Sequence, residues 1–275
     1  MAGRVTRRLR VQRHRPDGTV SRREDVLAAE EPLEVRLGGR SFTVTMRTPG
    51  DDFDLVAGFL VSEGVISSPD HLAAQRYCAG TDEDGLQTYN VIDVQLAPGV
   101  ALPDTSMERH VYTSSACGIC GTASIDAVHK AAHFGRVDDA TTFDAALVGR
   151  LPELLRAEQK VFDRTGGVHA AGLFDASGEL LCLREDVGRH NAVDKVVGWA
   201  LGQGRLPLAD TVLQVSGRAS FELVQKAHMA GIAMLSAVSA PSSLAVELAE
   251  SSGVTLVGFN RGGGFNVYAH PHRIA

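Results

Sequence analysis

Apolar residues alternate with charged ones at Leu33, Val35 and Leu37, and with threonines at Phe42, Val44 and Met46. Gly38-Gly39 between them supplies the positive φ of a tight turn, so this stretch predicts a β-hairpin. The period then lengthens. Phe53, Val56, Phe59 and Leu60 fall on one face of a helix over about 50–62. Its start is expected at Thr48-Pro49-Gly50-Asp51, which has capping-box spacing with proline at the first helical position. After the turn at Ser67-Ser68-Pro69 a strand is expected over 87–96, and Pro98 to Pro103 connects to a second part.

From residue 122 helices and strands alternate. Helical spacing runs from Ala123 to Phe134 and from Phe143 to Phe162, with a break or kink expected at Pro152. Strands are expected over 168–174 and 179–184, flanking the turn Asp175 to Gly178. A buried helix face follows at Val193, Val196, Val197, Ala200 and Leu201. The last third reads β-α-β-α-β: strands at 212–215, 232–236 and 254–259, helices at 219–230 and 243–250. That order implies parallel strands with right-handed crossovers. The chain therefore reads as an α/β protein, with a smaller β-rich N-terminal domain over 1–110 and a parallel-sheet domain over 111–275.

Charge adds one feature. Residues 1–23 hold eight arginines against Asp17, a net +7 that leaves −13 for the remainder. The arginines interleave with Val5, Leu9 and Val11 in a period of two, which suits the solvated face of a strand. The acidic body argues against wrapping nucleic acid. No apolar run approaches a membrane span and no secretory signal is visible, so a cytoplasmic location without membrane attachment is expected.

Four cysteines, Cys78, Cys117, Cys120 and Cys182, are too irregularly spaced for a disulfide framework. Cys117-Gly118-Ile119-Cys120-Gly121 is too glycine-rich for the interior of a helix or central strand and reads as a mobile loop carrying two thiols. Three chemistries fit a thiol pair. Structural zinc needs about four ligands, and here there is one close pair. Dithiol exchange would place C-x-x-C at a helix start beside a strand, a context not evident here. Sulfur transfer needs a nucleophilic cysteine, a flexible loop and an anchored acceptor. The helix expected near Thr122 would favour thiolate through its dipole.

An acceptor site is suggested by the expected sheet. In open α/β sheets ligands bind beyond the carboxyl ends of the strands. Ser216-Gly217-Arg218, Ser239 to Ser243 including Ser242, and Asn260-Arg261-Gly262-Gly263-Gly264 leave three successive strands there. Glycine, serine and arginine suit a phosphate, although each segment alone would pass for a turn or cap. Neither a Walker lysine motif nor a strand-linked G-x-G-x-x-G is present. His190 and Asp194, four apart after Asp186-Val187-Gly188, could hold a metal, but a capped helix start with satisfied polar groups accounts for them. His169, after Gly166-Gly167, enters a strand and could face a cleft.

Ser115 to Gly121, Thr165 to His169, Glu185 to Lys195, Ser216 to Arg218 and Phe259 to Tyr268 together resemble the formate dehydrogenase accessory sulfurtransferases (FdhD). The resemblance covers most of the chain. It implies a protein that takes sulfur from a cysteine desulfurase and delivers it to the molybdenum of a bis-molybdopterin guanine dinucleotide cofactor destined for formate dehydrogenase. By the same resemblance Cys117 is the persulfide carrier with Cys120 assisting, Phe259 through Gly264 binds the cofactor, the chain is a homodimer, and the fold is similar to that of cytidine deaminases. Zinc deamination itself lacks its parts: none of the ten histidines is followed two residues later by glutamate, and alanine stands before Cys117 where that motif has proline. A second function class, a chaperone that binds the nucleotide cofactor without sulfur chemistry, fits the same residues.

Overall fold

The computed structural model describes residues 5–78, 80, 88–101, 133–137 and 140–275. Cys117, Cys120 and nearly all of the helix expected over Ala123 to Phe134 lie outside the described residues. The arginine-rich start forms β1 (Thr6–His14), antiparallel to β2 (Val20–Ala28), as a two-stranded ribbon. The hairpin follows as β3 (Glu31–Leu37) and β4 (Arg40–Arg47), turning at Gly38 and Gly39 with φ of 56° and 81°. With β5 (Leu72–Tyr77) and β6 (Val91–Leu96) they make a four-stranded sheet in the order β4-β3-β6-β5. β5 escapes a periodicity argument because only Leu72 and Tyr77 in it are large and apolar.

Helix α1 (Asp52–Ser62) lies where expected, but the capping box does not form. Its N-cap is Asp51, in the left-handed region at φ 52° and with no side-chain cap. Thr48 has other bonds to make. Its N–H donates to Asp186 Oδ2 (3.1 Å), its hydroxyl accepts from the N–H of Val187 (3.1 Å), and its carbonyl accepts from Lys195 Nζ (2.8 Å). The expected apolar face is also rotated. Leu55, Val56, Leu60 and Val61 are buried, whereas Phe53 is 40% exposed and stacks on Tyr77 at 4.9 Å between centroids.

The second part contains α2 (Ala145–Ala157), α3 (Lys160–Thr165), β7 (His169–Asp175), β8 (Leu180–Asp186), α4 (Arg189–Gly202), β9 (Thr211–Val215), α5 (Phe221–Met229), β10 (Met234–Ala237), α6 (Ser243–Ser252), β11 (Thr255–Arg261) and β12 (Gly264–Ala269). Strands β9, β10 and β11 run parallel, as the β-α-β-α-β reading requires. The sheet is nonetheless mixed. Its order is β12-β11-β10-β9-β7-β8, with β12 and β7 antiparallel to their neighbours β11 and β9. The expected break at Pro152 is a correction too: α2 passes through Pro152 and ends at Ala157, and the interruption falls at Glu158 and Gln159.

Apolar residues of the four-stranded sheet, α1, α4 and the six-stranded sheet form one continuous buried cluster. At its centre α1 and α4 cross through two glycines. A Cβ on Gly58 would stand 1.8 Å from the carbonyl oxygen of Asp194, and one on Gly198 would stand 1.8 Å from that of Asp54. No rotamer change can relieve a clash with backbone. Gly58→Ala or Gly198→Ala is therefore expected to cost at least about 1–3 kcal/mol through forced separation of the helices. Gly202→Ala, which meets nothing within 4 Å, is expected to be neutral or slightly stabilising. Urea denaturation midpoints of the three variants check this; equal midpoints would show that the crossing is not the tight constraint.

A candidate anion cleft at the sheet edge

The residue after β9 is Ser216, the residue after β10 is Val238, and β11 ends at Arg261 and Gly262. All four line a cleft of about 850 Å³. Antiparallel β7 begins at the same edge with His169, and β8 ends there at Asp186, followed by Val187. The opposite wall comes from α2 and α3, with Glu153, Arg156, Gln159 and Phe162. The volume suits one nucleotide-sized ligand. The cleft lining carries two cations, Arg156, paired with Asp163 at 2.6 Å, and the exposed Arg261, against one carboxylate, Glu153.

Each of the expected cofactor residues has a definite place. Ser216 lines the cleft while its Oγ accepts from the N–H of Ala170 (2.9 Å), leaving the hydroxyl proton as a donor. Gly262 and Gly263, at φ 59° and 80°, form the two-residue turn of the β11–β12 hairpin, so the Arg261 to Gly264 segment is a tight turn rather than an open loop. Arg261 is exposed, with its guanidinium 5.6 Å from the ring centroid of half-buried Phe259. Arg218 is exposed and Ser242 caps α6 by accepting from the N–H of Ala245 (3.3 Å); neither lines the cleft.

Asn260 is fully buried beneath the cleft, and its amide explains how α2 tolerates Pro152. Proline at 152 has no N–H for the carbonyl four residues earlier, that of Val148. Asn260 Nδ2 takes that carbonyl at 2.7 Å and also donates to Ser236 Oγ at 2.9 Å. One side chain thus fastens the α2 wall to β11 and β10. Gly149 assists, since a Cβ there would come within 2.7 Å of the Gly263 carbonyl.

Glu185 to Lys195 builds the neighbouring corner. The Glu185 carboxylate accepts from the N–H groups of Val161 (2.7 Å) and Phe162 (2.8 Å), which fixes the start of α3 against the cleft. His190 and Asp194 each bond to α5 instead of to one another. His190 Nε2 lies 2.7 Å from Glu222, and Asp194 pairs with Lys226 (2.8 Å) and accepts from Ser62 (2.7 Å). Burial pushes the Asp194 carboxyl upward, against the pull of Lys226 and Ser62. His169 faces the cleft, half-buried. Its burial, helped by the charges of Arg189 and His190 and opposed by Asp186, holds its imidazole below the ordinary value. The neutral ring can accept or donate there.

Two cysteines are described. Cys182 lies buried on β8, and burial, reinforced by Asp54 and Asp51 and opposed by Arg184, pushes its thiol up to about 12. It is unfit as a nucleophile at neutral pH. Cys78 is half-buried. Helical spacing over Phe143 to Phe162 foretold the α2–α3 wall as helix but not its place: Arg156, Gln159 and Phe162 belong to no motif, and only the topology brings them to the sheet edge.

Fold and cleft define an α/β protein with a cleft of about 850 Å³ at the carboxyl ends of its parallel strands. The chain belongs to the FdhD/NarQ family, whose model matches residues 28–275. It is 63% identical to the sulfur carrier protein FdhD of Streptomyces avermitilis over 99% of this chain and 97% of that one, and 54% identical to that of Mycobacterium tuberculosis over 95% and 96%. A crystal structure described as a formate dehydrogenase accessory protein, from Desulfotalea psychrophila, superposes with a TM-score of 0.74 at 26% identity, covering 98% of this chain and all of that one. No helix among the described residues is long and apolar enough to cross a membrane.

The Asn260–Val148 bond yields a test. Asn260→Ala is expected to destabilise the protein by about 1–3 kcal/mol, because it leaves a buried carbonyl unmet. Pro152→Ala restores an N–H to that carbonyl, so in its background Asn260→Ala should cost measurably less. A double-mutant cycle on denaturant midpoints reads the coupling, and strict additivity would refute the account.

Proposed function

We propose that this chain is a sulfur carrier in the maturation of formate dehydrogenase, receiving sulfur from a cysteine desulfurase on Cys117 and delivering it to a molybdenum cofactor held by its guanine dinucleotide in the sheet-edge cleft. The observation that carries this reading is the convergence of Ser216, His169, Arg261 and Gly262 in one cleft, in a chain whose relatives are named sulfur carriers. Arg261 and the backbone around Gly262 would hold phosphate oxygens, Ser216 and His169 would supply neutral donors, and Asn260 would keep both walls in place from below. The bis-form of the cofactor is cargo with two nucleotide arms, consistent with a homodimer offering two clefts. A fold relationship to cytidine deaminases belongs to the same reading.

Loading conserves electrons. The thiolate of Cys117 attacks the outer sulfur of the donor's persulfide, the donor's S–S bond breaks, and the electron pair leaves on the donor cysteine as its thiolate. Cys117 then carries the sulfane sulfur, with Cys120 as an assisting thiol. Cys182, with its thiol near 12, does not compete.

Two measurements test the reading. After incubation with a cysteine desulfurase and cysteine, mass spectrometry should find one added sulfur on Cys117 and none in Cys117→Ser. The variant should retain cofactor binding but fail to support active formate dehydrogenase. Unchanged formate dehydrogenase activity would favour the chaperone without sulfur chemistry. For the cleft, guanosine diphosphate serves as probe: Arg261→Ala should weaken its binding about tenfold or more by calorimetry, as loss of a charge-assisted bond requires. Equal affinity would remove Arg261 from the site.

A further inference from the structure

Among the described residues that line the cleft, Gln159 is the one polar side chain that is buried, with 4% of its surface exposed. It stands at the interruption between α2 and α3, where its backbone is fully spent. The N–H donates to the carbonyl of Arg156 (3.4 Å) and the carbonyl accepts from the N–H of Asp163 (3.0 Å). The side chain is not spent. Gln159 is the N-cap of α3, yet its amide makes no capping bond, and it has no hydrogen bond to any other described residue. The N–H groups that an N-cap side chain would serve, those of Val161 and Phe162, go instead to the Glu185 carboxylate. The other polar lining groups differ in this respect. Arg156 pairs with Asp163, Ser216 accepts from the N–H of Ala170, Glu153 and Arg261 are exposed, and His169 is half-buried.

A buried amide without partners is a net cost, and native structures rarely keep one without a use for it. The chemistry of the amide narrows that use. It presents a donor and an acceptor side by side in one plane. A phosphate, with acceptors alone, meets the NH2 and leaves the amide carbonyl facing an anion. The base-pairing edge of a nucleobase carries an acceptor beside a donor in one plane and meets both groups at once, in the bidentate manner by which amide side chains read bases. The surroundings agree with a flat ring system. Pro152, Leu155 and Phe162 come from the same wall as Gln159, and Val187 and Val238 come from the sheet edge. Such an apolar lining with a few placed polar groups suits a heterocycle and would be wasted on a phosphate.

We propose that Gln159 is the specificity-determining residue of the cleft, bonding through its amide to the donor–acceptor edge of a nucleobase. The inference deepens the sulfur-carrier reading and rests on it for the identity of the base. With guanine, Nε2 would donate to O6 and Oε1 would accept from N1–H, which leaves Ser216 and Arg261 to the phosphates. Glu185 has a matching part, since by holding the start of α3 it frees the Gln159 amide for the ligand. Water alone is the competing occupant.

The test uses the full chain and Gln159→Met, which keeps the length of the side chain and removes the amide. Calorimetry with three probes separates base from phosphate: guanosine diphosphate, the diphosphate of 2-aminopurine riboside, which lacks O6 and the N1 proton, and inorganic pyrophosphate. The wild type should bind guanosine diphosphate at least about tenfold more tightly than the aminopurine analogue, and Gln159→Met should lose that preference while keeping its affinity for pyrophosphate. The urea midpoint of the ligand-free variant should be unchanged or raised, because no bond within the protein is lost. Equal wild-type affinity for the two nucleotides would overturn the proposal, and that comparison does not depend on how the variant folds. An equal loss of pyrophosphate binding in Gln159→Met would overturn it too, as would a lowered midpoint with the base preference intact, which would make the amide structural. Sulfur on Cys117 together with nucleotide binding that ignores Gln159 would sink this inference and keep the carrier reading. Gln159-dependent base preference without sulfur on Cys117 would do the reverse.

Discussion

The buried carboxylate of Asp186 is the point on which the two halves of the molecule turn. It has no exposed surface, and four groups meet it: Lys195 Nζ at 2.8 Å, the N–H of Thr48 at 3.1 Å, the N–H of Gly188 at 2.8 Å and Asn191 Nδ2 at 3.1 Å. Lys195, equally buried, donates in turn to the carbonyl of Thr48. A charge pair taken out of water gains little net stability over an apolar filling, yet removing one partner is severely costly because the other is left uncompensated. Its physical effect is positional. The end of β4, the end of β8 and the first turns of α4 must meet in one arrangement, and Asn191 extends the tie to the carbonyl of Met46 at 2.7 Å. Given that arrangement, α1 is laid across α4 where only Gly58 and Gly198 permit the approach.

The same corner orders the cleft. From Glu185 to His190 the chain turns from strand to helix, and each residue faces a different structure: Glu185 the start of α3, Asp186 the N-terminal hairpin, Val187 the cleft, His190 the first turn of α5. Gly188 is required, since a Cβ there would come within 2.9 Å of the Asn191 amide. His190 and Asp194, which the sequence suggested were satisfied polar groups at a helix start rather than metal ligands, do pair with Glu222 and Lys226 and serve as scaffolding. The corner sets the ligand-facing atoms of its neighbours.

This explains how much was legible beforehand. Alternation and tight-turn glycines were enough for the β3–β4 hairpin, for β7 and β8, and for the parallel run β9 to β11, because those residues obey local periodicity. The edge at which Ser216, Arg261 and Gly262 meet also followed, since parallel strands place their carboxyl ends together. Local rules failed where a distant partner overrode them. Thr48 looks like a cap and is claimed by Asp186 and Lys195. Pro152 looks like a helix break and is rescued by Asn260, 108 positions later in the numbering. Asn260 looks like a ligand residue but is fully buried, its amide spent on Val148 and Ser236, and it does not line the cleft. β5 carries no periodic or motif signal, and the helical spacing of α2 and α3 does not say that they wall the cleft, so tertiary contact decides both.

Chemistry at the thiols is constrained by the same packing. A sulfur carrier must expose a thiolate to a donor and then to an acceptor, and low dielectric works against both needs. Cys182 shows the consequence: seated in the sheet among apolar neighbours, its thiol is held near 12 despite Arg184 beside it. No modest rearrangement could recruit it, because exposing it would open β8, and β8 ends in Asp186. The core that fixes the cleft therefore cannot also carry the sulfur. In the proposed transfer the anchored end and the nucleophilic end are thus separate parts of the chain, the sheet edge for the acceptor and Cys117 for the thiol.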